Sequence, residues 1–87
     1  MLTIEDCIEM AGLTPEEVDA IAEHEHLPTM IAIELGWYLE QTHAGEERIR
    51  QMIVDDMTRA EERGDRAHAA KLKLVLQQFL AHHGGTA

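Results

Sequence analysis

The chain has 87 residues, with 17 acidic and 7 basic side chains and a formal net charge of −10. That length means one domain, residues 1–87. An acidic surface repels phosphate backbones, which sets nucleic acid aside as a partner. No apolar run approaches the ~20 residues of a membrane span, and Met1–Asp6 lacks the basic and apolar regions of a secretion signal. A soluble, cytoplasmic chain is therefore expected. Cys7 is the one cysteine, so no internal disulfide can form, and a lone thiol suits a reducing compartment as a small buried side chain. A chain this short buries only ~60–65% of its unfolded surface, so association is the expected route to extra stability.

In chain order, Thr3 with Glu5 and Asp6 marks a helix start, and Ile4, Cys7, Ile8 and Ala11 follow at helical spacing up to Gly12. The spacing predicts a short helix over 4–11. Thr14-Pro15-Glu16-Glu17 is a capping box with proline at the first helical position. Val18, Ile21 and Ala22 then form a stripe that Glu25 continues. Leu27 precedes Pro28 and should leave helical geometry.

Residues 28–43 hold both the only Trp and the only Tyr and are apolar nearly all round. Ile31, Leu35, Tyr38 and Leu39 form one stripe, and Met30, Ile33 and Trp37 a second. This segment is expected to be the helix around which the others pack. A fourth helix is expected to start at Glu46-Glu47, with Ile49, Met52, Ile53, Met57 and Ala60 on one face and Asp56 among them. Gly64 stops it. Asp65 caps a fifth helix to about His82, with Leu72, Val75, Leu76, Phe79 and Leu80 inward and a smaller patch of Ala67, Ala70 and Leu74. Residues 84–87 should fray. No stretch reads as a strand. The fold class is all-α, a compact bundle of about five helices ending in an antiparallel hairpin.

Chemistry-bearing residues are few. Glu23 with His26, and Glu40 with His43, repeat the Glu-x-x-His spacing of carboxylate-bridged metal sites in bundles. Glu23, however, lies off the apolar stripe and should face solvent. Glu25, Asp56 and His68 are polar residues on apolar faces, where burial without a partner is costly. In the hairpin, Asp56 and His68 could reach one another, or either could reach an arginine. His82-His83 reads as an exposed end, and the five methionines as core filler. No nucleophile elbow, phosphate-cradling glycine loop or zinc spacing is present, so no enzymatic activity is indicated.

The runs Leu2-Thr3-Ile4-Glu5-Asp6-Cys7-Ile8, Gly12-Leu13-Thr14-Pro15-Glu16-Glu17-Val18 and Ala20–Pro28 resemble a small group of all-helical bacterial proteins with no assigned activity. The resemblance spans most of the chain. It implies a cytoplasmic bacterial protein and carries over no functional residues.

Charge is polarised along the sequence. All seven Lys and Arg lie at or after Arg48, while residues 1–47 hold twelve acids. Together these features predict a non-enzymatic interaction module that forms a homodimer through Met30, Ile33 and Trp37. A basic protein is the other partner that the charge suggests. The alternative is a helical protein binding a divalent metal or cofactor through Glu23, His26, Glu40 and His43.

Overall fold

A computed structural model describes residues 3–81. The expected frayed tail and the His82-His83 pair lie outside the described residues. Within them the chain forms five helices and no strand: α1 (Ile4–Met10), α2 (Pro15–Glu25), α3 (Thr29–Leu39), α4 (His43–Glu62) and α5 (Arg66–Phe79). The all-α bundle and its C-terminal hairpin are as the periodicity predicts.

Local chemistry sets the boundaries. The Thr3 and Thr14 hydroxyls accept from the backbone N–H groups of Asp6 and Glu17, whose carboxylates accept from the threonine N–H groups in return. These are two reciprocal capping boxes. Gly64 closes the α4–α5 turn at φ +77, where Asp65 N–H donates to the Ala60 carbonyl at 2.9 Å. A left-handed residue after the helix end satisfies carbonyls that the helix leaves open.

Two expected boundaries move. The central helix ends at Leu39, and α4 begins at His43, three residues before Glu46. Thr42 is the cap: its hydroxyl accepts from Gly45 N–H at 2.9 Å. Gly45 therefore starts a helix and does not end one. A Cβ there would run into the Leu39 backbone carbonyl, so the tight α3–α4 corner requires glycine.

The hub of the bundle is α2, which touches all four other helices, whereas α3 touches α1, α2 and α4. Val18, Ala20 and Ile21 of α2 are buried, facing Ile49, Met52 and Ile53 of α4 and Leu72, Val75 and Phe79 of α5 in one core. The expectation that everything packs around residues 28–43 is corrected by how α3 docks. Its buried residues are Ala32, Ile33 and Gly36. A Cβ on Gly36 would lie 2.8 Å from Leu13 Cδ1 and 3.0 Å from Ile21 Cδ1. Small residues one turn apart let the helix axes approach closely, and close approach brings more atoms into contact than a bulky stripe held at a distance. Ile31, Trp37 and Tyr38 are left on the outside. The molecule is only 17 Å across its shortest axis, room for two layers of helices and no third. Nothing in the chain's described residues covers the outer side of α3.

Candidate functional site

Two places concentrate residues of interest: a polar seam where α2 meets the α4–α5 hairpin, and an apolar groove between α1 and α3.

The seam is built by the last turns of α2. Glu23, His24 and Glu25 are consecutive, so the helix fans them toward different neighbours. Glu23 Oε1 lies 2.7 Å from His68 Nε2 on α5. His24 Nε2 lies 3.1 Å from Asp55 Oδ2 on α4, and its Nδ1 lies 2.6 Å from Glu25 Oε2. Arg48 reaches Glu25 at 3.6 Å. Both nitrogens of His24 thus lie within hydrogen-bond reach of carboxylate oxygens.

Asp56 sits beneath this layer with no exposed surface. Neither of its oxygens has a hydrogen-bond partner, and Arg59 stands 3.6 Å away. Burial, with the Glu23 charge adding to it, pushes the Asp56 carboxyl up from 3.8 to about 6. Its neighbour Asp55 moves the other way, because hydrogen bonds from Gln51 and His24 hold its carboxyl below the ordinary value. One step along the chain separates a carboxylate facing donors from one facing the core.

The expected polar residues are therefore placed as follows. Asp56 is buried beside an arginine, one of the two arrangements the spacing allows. His68 pairs with Glu23 and not with Asp56, because α2 wedges its C-terminal end against the hairpin. That placement also corrects Glu23, which bonds to His68 where solvent exposure was expected. Glu25 is half-buried in the seam. His26 is exposed at the α2 C-cap with left-handed φ 56. Glu40 lies against the turn at Gly12. His43 is exposed at the start of α4, 4.0 Å from Glu46. No three of the four metal candidates converge, and no group of three or more His, Cys, Asp or Glu able to hold a metal occurs among the described residues. Sequence reasoning missed His24 and Asp55, which carry no signal beyond charge and a 31-residue separation.

The groove is of a different kind. Its volume is about 520 Å³, within the range of ligand-sized clefts. Cys7, Met10 and Ala11 form the α1 wall. Met30, Ile33, Glu34, Trp37 and Tyr38 form the α3 side. Ile33 is 5% exposed and belongs to the floor, shared with the core, while Met30 is 42%, Trp37 51% and Tyr38 69% exposed. Met10 on the opposite wall is 72% exposed. Cys7, expected as a buried filler, is half-buried in this wall.

Of the three expected interface residues, Met30 and Trp37 remain available and Ile33 is already engaged. The groove places a thiol, a carboxylate and a phenol among apolar groups, with no imidazole or basic side chain lining it among the described residues. A second hollow, by the hairpin turn, mixes Glu61, Arg66 and Lys73 with Met57 and Ala70 and has no comparable apolar face.

No described helix is long and apolar enough to cross a membrane. No protein-family model matches the chain, and no curated protein or solved structure is significantly similar to it.

Proposed function

We propose that the chain is a non-enzymatic interaction module whose working surface is the α1–α3 groove, and that it receives an apolar helical face of another polypeptide. One observation carries this reading. Met10, Met30, Trp37 and Tyr38 stand exposed around one concavity, whereas Ile4, Ile31 and Leu74, the other exposed large apolar side chains among the described residues, do not line it. Contiguous exposed apolar surface of this kind marks binding sites in soluble proteins. Methionine and aromatic side chains are also the types enriched at protein interfaces. A groove between two helices suits the helix-in-groove mode of recognition.

The second reading is self-association through Met30 and Trp37. It is favoured by the half-exposure of Trp37, which could anchor a two-fold contact.

Trp37 is the only Trp, so its emission reports the groove directly. Titration with a synthetic Trp-free amphipathic helix of Leu and Gln, about 18 residues long, should shift that emission to the blue. Exchanging exposed Met10 for Asp should weaken binding by about tenfold, the equivalent of ~1.4 kcal/mol. An emission spectrum unmoved by any apolar-faced helix would overturn the interaction reading. Sedimentation equilibrium at micromolar protein tests the second reading: a mass of 9.8 kDa rejects it and twice that supports it.

A further inference from the structure

The charge around the groove narrows the occupant. Among the described residues Glu34 is the one acidic residue lining it, and no hydrogen bond or ion pair from them reaches its carboxylate. Asp6 stands four residues before Met10 and so neighbours it on the α1 surface. Glu5 and Glu9 are exposed on the same short helix. No cation is close by in sequence, because the first basic residue is Arg48. Nor does the fold bring one to the α1 wall: α1 touches only α2 and α3, while every Lys and Arg lies on α4, α5 or the turn between them. Three of those cations are already engaged, Arg48 with Glu25, Arg50 with Glu47 and Arg59 with Asp56.

An occupant that closes the groove takes the Glu34 carboxylate out of water. Leaving it unpaired there costs several kcal/mol in general, and setting it against another carboxylate costs more. A two-fold contact through this face would set Glu34 against acidic residues of the second copy. An occupant that brings Lys or Arg converts the same group into a charge-assisted bond and is steered in by the surrounding acids.

We infer that the groove binds a basic amphipathic helix of another protein, with bulky apolar residues seated among Met10, Met30 and Trp37 and a lysine or arginine on Glu34. The inference rests on the interaction reading above and adds the charge of the partner. From Met30 to Tyr38 the apolar side of α3 spans nine residues, a rise of about 12 Å, which matches two turns of a docked helix and leaves its flanking cations over α1 and the end of α3.

The test uses three Trp-free probe helices of equal length with the same leucine face and with Lys, Gln or Glu on the polar face. Binding is followed by Trp37 emission and by calorimetry. The Leu/Lys helix should bind about tenfold or more tighter than Leu/Gln, and Leu/Glu should not bind. Its affinity should fall severalfold when salt is raised to about 0.5 M. Glu34→Gln should remove most of the preference for Lys over Gln. Glu61→Gln, an equal charge change on the far end of α4, should leave it intact. Glu34 and Glu61 are both exposed, so neither variant threatens folding.

Equal binding of Leu/Lys and Leu/Glu overturns the basic partner and leaves the interaction module standing. Equal loss with Glu34→Gln and Glu61→Gln means diffuse attraction without a site and also overturns it. No response of Trp37 to any probe removes both readings. A dimer that none of the probes dissociates assigns the groove to a second copy and overturns the inference.

Discussion

Asp56 is the residue whose environment departs furthest from what its chemistry prefers. A carboxyl held at about 6 in the fold and near 3.8 when exposed binds its proton more tightly in the native state. The stability it contributes is therefore complete below about pH 4 and is lost as pH rises through 6. A shift of about two units corresponds to ~3 kcal/mol at most. His24 and Glu23 on α2, and Asp55 and Arg59 on α4, also act on this carboxyl, so the measurement must isolate Asp56. Urea unfolding of wild type and Asp56→Asn at pH 5 and pH 7.5 does so. Wild type should lose about 1–1.5 kcal/mol more than the variant between the two values, the part of the ~3 kcal/mol that falls between pH 5 and 7.5. Parallel profiles would show that water or a moved arginine already compensates the charge. Asp56 was legible in the sequence because a carboxylate interrupts an otherwise apolar face. The Arg59 beside it, three residues on, is one of the arrangements that spacing allowed, but that His68 would turn to Glu23 was not legible, because it depends on how α2 crosses the hairpin.

The helices show which signals transfer from sequence to structure. Capping chemistry transferred well: Thr14 with Glu17 and Asp65 with His68 N–H are both in place, and Thr14→Ala should cost about 1 kcal/mol in a thermal melt. Thr42 was overlooked as a cap because Gly45 reads as a terminator, yet that glycine serves a close backbone approach. Apolar periodicity marked α3 as a helix but misjudged its inward side, since bulk was weighed and Ala32 and Gly36 were not. Replacing Gly36 with Leu should lower stability by about 1–3 kcal/mol through overpacking against Leu13 and Ile21, which chemical denaturation measures. At the end of α2, His26 holds a left-handed backbone conformation that glycine adopts without strain. His26→Gly should raise stability by about 0.5–1 kcal/mol. A loss would mean that its exposed ring makes a contact of its own.

Across the whole molecule, stability is spread unevenly, and the groove lies at the weaker end. Helix α4 has 20 residues and packs most extensively against α5, with α2 crossing both. Its Ile49, Met52 and Ile53 are at the centre of the core. Helix α1 has seven residues, too few to persist without tertiary support, and buries Ile8 alone among them. Local opening free energies follow such differences in burial. Native-state hydrogen exchange should find the amides of Cys7 to Ala11 exchanging at least about tenfold faster than those of Met52 to Asp56. Because α1 is one wall of the groove, an occupant cannot bind without holding it in place. The same amides should therefore slow when the Leu/Lys helix is added, while those of α4, already limited by global unfolding, change only with overall stability. Uniform slowing across α1 and α4 would show stabilisation of the whole fold without contact at α1. Unchanged exchange in Cys7 to Ala11 at saturating probe would place binding elsewhere on the molecule.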